Sequence, residues 1–234
     1  MKSYTDNYRT APKGFTLVEM LTVVGIIALL VALVTPALVD VIRSTRLNSS
    51  GDGLQNRLSL AQQHAVSKSR DVEMRFYKYV DPNSDQATAP HFYAYQVVET
   101  PNGSPAKAAS EVYYLDSGIV ISSDQTYSRL LGTTTAQQPI SGGRYLFEPP
   151  TGAGGATVQY AALRFYADGS CRILTASTPA TSVTAVAVAY TIPPLPSSFL
   201  TLMETRFIGA TTLPSNFYCL QIDSYTGKVR VFRP

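Results

Sequence analysis

Few residues in this chain have the type and spacing to do chemistry. It has two histidines, His64 and His91, and two cysteines, Cys171 and Cys219. Two cysteines exclude a multi-disulfide scaffold and a four-thiolate zinc site. Asp81, Asn83 and Asp85 alternate oxygen ligands, a spacing that suits calcium. Pro82 interrupts the run, and no turn glycine or bidentate Glu follows, so an Asx-rich turn is the simpler reading and no metal is expected. Gly152–Gly155 lacks the Lys-Ser/Thr ending of a phosphate loop. No Ser/His/Asp set, no pair of catalytic carboxylates and no nucleophile elbow can be assembled, so neither an enzyme nor a cofactor is expected. One carboxylate is conspicuous by its place. Glu19 is the single charge between Phe15 and Val39.

The elements that position these residues follow from patterning. The 25 residues Phe15–Val39 make a helix of about 37 Å, enough to cross a hydrocarbon core of about 30 Å. The segment before it carries Lys2, Arg9 and Lys13 against Asp6, a positive flank that predicts a cytoplasmic N-terminus. Gly25, Thr22 and Thr35 let helices approach closely in lipid. Pro36 either bends the helix or starts a new one at the membrane surface. A plain anchor is one reading of this segment. A secretory signal cut after Ala37 is another, weakened by the length of the apolar run and by Glu19 near its start.

Lys13-Gly14-Phe15-Thr16-Leu17-Val18-Glu19, followed by about twenty apolar residues, resembles the cleavage and methylation motif of type IV prepilins and type II secretion pseudopilins. The resemblance implies cleavage between Gly14 and Phe15 by a prepilin peptidase and N-methylation of Phe15. Pro36 falls where many pilins carry a helix-kinking proline. A carboxylate in a bilayer needs a partner. The amine released at Phe15 is the nearest cation, and in a filament it would belong to the neighbouring subunit, so Glu19 would set the register of helix against helix. The partners implied are other pilin-type subunits, the peptidase and the assembly platform of a bacterial inner membrane. The chain would span that membrane once, with its C-terminal domain outside the cytoplasm.

Beyond Val39 the pattern becomes amphipathic. Leu54, Leu58, Ala61 and Ala65 form one helical stripe that needs a covering surface, most simply a sheet of the same chain. Gly51-Asp52-Gly53 interrupts the stripe, which predicts a hinge or a loop between two helices. His64 lies beside the polar face and reads as a solvated helix histidine. From Asp71 the period changes to two. Val72, Met74 and Phe76 alternate with Glu73, Arg75 and Tyr77 as in a half-buried strand, and His91–Glu99 should pair with it. Further strands are expected at Glu111–Leu115, Ile119–Ser122, Ser141–Glu148 and Val183–Ile192. Two hairpins are expected across Asp168-Gly169 and across Ser224–Gly227. Phe92, Tyr93 and Tyr95 could offer a sticky face or could pack in the sheet. An exported domain would allow Cys171 and Cys219 to form a disulfide, with two buried thiols as the alternative.

Charge is balanced, with 19 Lys+Arg against 16 Asp+Glu, which argues against nucleic acid as the main partner. The absence of Trp beside 15 Tyr and 9 Phe leans towards β-structure. The organisation expected is α+β: a leader over 1–14, a long helix over 15–70 that is transmembrane over 15–39, and a β-rich domain over 71–234. The layout resembles minor pseudopilins of the FimT/GspH type, whose helix packs on a β-sandwich or bent sheet. Leu58–Tyr79 and the ending Gln221-Ile222-Asp223 to Arg233-Pro234 also resemble the prepilin-like cassette protein D set of the Verru_Chthon type. The function these resemblances imply is that of a structural subunit of a pilus or secretion pseudopilus. The alternative from another class is a membrane-tethered β-sandwich binding module whose helix is only an anchor.

Overall fold

The structure is a computed structural model that describes residues 14–81, 89–99, 107–131, 135–139, 147, 157–177 and 188–234. Asn83 and Asp85 lie outside the described residues, as do 178–187 and all of 141–148 except Phe147. Helix α1 spans Leu17–Lys68. Thr16 begins it, with its hydroxyl accepting the Glu19 N–H at 3.2 Å. Ser69 ends it in the left-handed region at φ 50°. The Ser69 N–H donates to Val66 O and the Arg70 N–H to Ala65 O, at 3.3 and 3.1 Å, the paired bonds of a Schellman motif.

The chain forms two compact units, Met1–Ile42 and Arg43–Pro234, and the helix contributes to both. The division falls inside the helix because residues from Leu47 onward pack into the sheet domain. Among the described residues of the first unit the apolar side chains are exposed, with Phe15 74% and Leu17 80% exposed. The helix is long and apolar enough to cross a membrane.

The second unit is an antiparallel sheet. Its strands are β1 Val72–Tyr79, β2 His91–Glu99, β3 Lys107–Ala108, β4 Tyr113–Tyr114, β5 Ile119–Ile121 and β6 Ala136–Pro139. They continue with β7 Thr157–Phe165, β8 Cys171–Ser177, β9 Val188–Thr191, β10 Phe199–Glu204, β11 Tyr218–Ile222 and β12 Val229–Phe232. The order is β12-β11-β10-β5-β2-β1-β7-β8-β9, with β3 and β4 on β2 and β6 on β7. The expected hairpins β1–β2, β7–β8 and β11–β12 all form. Strand β10, which joins β5 to β11, has no counterpart in the sequence reading.

The sheet curls around the helix. The Cys171 N–H of β8 donates to Ser224 O in the β11–β12 turn at 2.8 Å, joining distant parts of the strand order. Gln62 of the helix donates its amide to Thr226 O in the same turn. A Cβ on Gly227 would lie 2.6 Å from Gly169 O, so the turn at Gly227 needs glycine both for this approach and for its φ of +66°. Inside the curl, Leu47, Leu54, Leu58, Ala61 and Ala65 meet Met74, Phe76, Phe165, Leu202 and Leu220. This is the covering surface that the apolar stripe requires. On the other face, Tyr77, Tyr160, Phe147 and Met203 form a second cluster. Strands β1 and β2 are therefore buried on both faces, which corrects the half-buried reading of Val72–Phe76.

The hinge expected at Gly51-Asp52-Gly53 is absent, and the helix runs through it. A Cβ on Gly51 would lie 2.3 Å from the ring of Tyr218, so glycine lets the ring lie against the helix backbone. The Tyr218 hydroxyl donates to Asp52 Oδ1 at 2.6 Å, and Arg233 reaches the same oxygen at 2.7 Å while its guanidinium lies 4.4 Å from the ring centre. A segment that reads as a break is an attachment point. His64 also departs from the solvated reading, with its Nε2 3.3 Å from Glu99 Oε1.

Candidate functional site

Of the residues that carry the resemblance, Lys13 lies outside the described residues, and Gly14–Glu19 lie together at the start of α1. Gly14, Phe15 and Thr16 precede the first helical turn. Glu19 occupies its third position and is exposed. Thr16 O accepts the Met20 N–H at 3.2 Å, and the Thr22 hydroxyl donates to Glu19 O at 2.9 Å. The Thr35 hydroxyl donates to Val31 O at 2.7 Å, so both threonines satisfy their polar groups within the helix. Glu19 is thus the one ionisable group between Leu17 and Val39, on a stretch whose described apolar side chains are exposed. The helix continues through Pro36.

The sequence reading did not use Thr16 as a cap, although Thr16-Leu17-Val18-Glu19 has capping-box spacing. It also missed a buried polar network on β1. Arg75 Nε donates to Glu73 Oε2 at 2.9 Å, and Tyr190 donates its hydroxyl to Glu73 Oε1 at 2.7 Å. Arg164 pairs with the same carboxylate, its guanidinium 4.1 Å from the centre of the Tyr190 ring. Burial disfavours the Glu73 carboxylate, but the two guanidinium groups outweigh it and hold the carboxyl below its ordinary range. Burial likewise pushes the Tyr190 phenol up.

A Ser–His contact also exists that no sequence spacing suggested. Ser123 Oγ lies 3.4 Å from His91 Nδ1, beside a cavity of about 40 Å³ lined also by Tyr127, Met203 and Phe207. Burial and Lys78 lower the His91 pKa. The neighbouring Asp124 also lines this cavity, and its Oδ1 accepts the Thr126 N–H at 2.8 Å. Among the described residues no carboxylate is hydrogen-bonded to the His91 ring, as a triad would need.

Phe92 and Tyr95 face the helix, while Tyr93 joins the second cluster, so these rings are core and not a sticky surface. Among the described residues no group of three His, Cys, Asp or Glu could hold a metal. No disulfide links the two cysteines. Cys171 faces the helix side in the core, and Cys219 lies on the alternate face of β11 from Tyr218, Leu220 and Ile222. Burial, reinforced by Asp223, pushes the Cys171 thiol up to about 12, and burial also raises that of Cys219. Maleimide at neutral pH should label Cys219 well ahead of Cys171 in the folded chain, and both quickly in urea. Equal rates in the folded chain would contradict this placement.

Residues 9–35 match the family model of the prokaryotic N-terminal methylation motif. The chain thus carries the N-terminal motif of prepilin-type proteins, on an apolar helix followed by an antiparallel β domain. A similar solved structure is the minor pseudopilin EpsH from the type 2 secretion system of Vibrio cholerae, at 10% identity, covering 81% of this chain and 98% of that one with a TM-score of 0.37. No curated protein matches the chain.

Proposed function

We propose that this chain is a pilin-like structural subunit of a type IV pilus or type II secretion pseudopilus. The observation that carries this is the methylation motif over residues 9–35, which runs into a helical stretch whose described apolar side chains, up to Ile42, are exposed. In this reading a prepilin peptidase cuts between Gly14 and Phe15, after Lys13, and Phe15 is then N-methylated. The N-terminus is cytoplasmic, the helix spans the inner membrane, and the β domain lies on the far side. Subunits leave the membrane by packing helix on helix through the assembly platform. Glu19 meets the Phe15 amine of a neighbour, an attraction strong enough in a water-poor environment to set the axial register. Pro36 adapts the helix to that packing.

Intact mass spectrometry of the chain recovered from membranes tests the first half. The expected species lacks Met1–Gly14 and carries one added methyl on Phe15. An uncut N-terminus, or one that begins at Leu38, would instead support an anchored or secreted β module. Glu19→Ala tests the second half. It should leave cleavage intact and remove the subunit from filaments, and equal incorporation would show that Glu19 sets no register.

A further inference from the structure

We infer that Thr16 is a positioning residue for processing, because its side chain stops α1 one residue short of Phe15 and keeps the Gly14–Phe15 peptide out of the helix. The inference rests on the cleavage proposed above. Gly14, Phe15 and Thr16 are non-helical, and α1 begins at Leu17. The boundary is built by two bonds from one residue: Thr16 Oγ1 accepts the Glu19 N–H and Thr16 O accepts the Met20 N–H, each at 3.2 Å. The first four N–H groups of a helix lack partners within it, and an N-cap side chain supplies one only while its own backbone stays non-helical. Without the hydroxyl, little holds the boundary there. Phe15 tolerates a helix, and Gly14 alone disfavours it, by about 1 kcal/mol relative to Ala.

One more turn would enclose the bond to be cut. Gly14 O would accept the Val18 N–H, and side chains of the turn would surround the peptide. Hydrolysis needs the opposite. Water adds to the Gly14 carbonyl carbon, the C–N bond to Phe15 breaks, the hydroxyl stays on Gly14, and the proton goes to the Phe15 amine. Reaching that carbon inside a helix requires the turn to unwind first. The same cap serves the product, since it leaves the new amine one residue outside the helix, open to a methyl donor and to a neighbour's carboxylate.

The test follows cleavage of the full chain in membranes by a prepilin peptidase, with intact mass as the readout over time. Thr16→Ala and the near-isosteric Thr16→Val should be cut about five-fold more slowly, the equivalent of about 1 kcal/mol for a lost cap. Thr16→Ser keeps the hydroxyl and should restore the rate. Glu19→Ala keeps the backbone donor and should also be cut normally. Unchanged thermal melting of the Arg43–Pro234 unit in every variant would show that the fold is intact. Thr16→Val cut at the wild-type rate, or Thr16→Ser as slow as Thr16→Ala, overturns the inference alone. A wild-type chain not cut at Gly14–Phe15 overturns the functional reading and this inference with it.

Discussion

Gly51→Ala should lower the stability of the sheet domain by about 2–3 kcal/mol, although alanine is the better helix former by about 1 kcal/mol. The new methyl would meet three carbons of the Tyr218 ring at 2.3 to 2.5 Å. Tyr218 is fully buried in the core that joins helix to sheet, so its ring has nowhere to retreat. Displacing it would also break its hydrogen bond to Asp52. Gly53→Ala is the control in the same helical turn. Its nearest neighbour would be the Tyr95 hydroxyl at 3.7 Å, an ordinary contact, so the change should be neutral or stabilise by up to about 1 kcal/mol. Urea unfolding of the full chain in detergent, followed by tyrosine fluorescence, measures both. Removing the ring should reverse the sign: in a Tyr218→Ala background, Gly51→Ala should become favourable, a non-additivity expected of groups in contact. Equal stability of the two alanine variants would mean that Gly51 has no role in seating the ring.

This pair of glycines marks where the sequence could be read and where it could not. Helix propensity is a local quantity, and by that measure Gly51 and Gly53 are the same residue. What separates them is a tyrosine far along the chain, whose strand packs against the helix at Gly51, a contact that no local pattern announces. The apolar stripe of Leu54, Leu58, Ala61 and Ala65 was legible because its periodicity belongs to the helix itself, and so was its need for a covering sheet. The hairpins were legible where a short turn joins two patterned strands, as at Asp168-Gly169. Strand β10 was not, because it pairs with β5 and β11 across long separations. At the candidate site, Gly14, Phe15 and Glu19 stood out because a motif is a matter of contiguous residues. The capping role of Thr16 was present in the same letters, but a threonine beside an apolar run signals a helix start only once its hydroxyl is seen on the Glu19 N–H.

The buried polar network on β1 is the other feature that alternation concealed, and it leads to the second large effect. Glu73→Gln should cost about 3–5 kcal/mol, because it leaves the Arg75 and Arg164 guanidinium groups without their shared carboxylate. The Glu73 side chain is 2% exposed and that of Arg75 is 8% exposed, so water cannot take over the lost partner. The change keeps size and shape, and the loss is therefore one of charge. Replacing Glu73, Arg75 and Arg164 together by Leu and Met should recover most of it, since an apolar cluster of similar volume needs no counter-charge. Acid should reproduce the single variant. The folded carboxyl titrates below its ordinary value of 4.5, so the unfolded chain binds the proton more readily. The contribution of Glu73 is therefore complete above about pH 4.5 and disappears as the pH falls through the folded pKa. Urea midpoints of the wild type and Glu73→Gln should draw closer as the pH is lowered below about 4.5. Curves that stay parallel across that range, or a Gln variant within 1 kcal/mol of wild type at neutral pH, would show that the two arginines do not depend on this carboxylate.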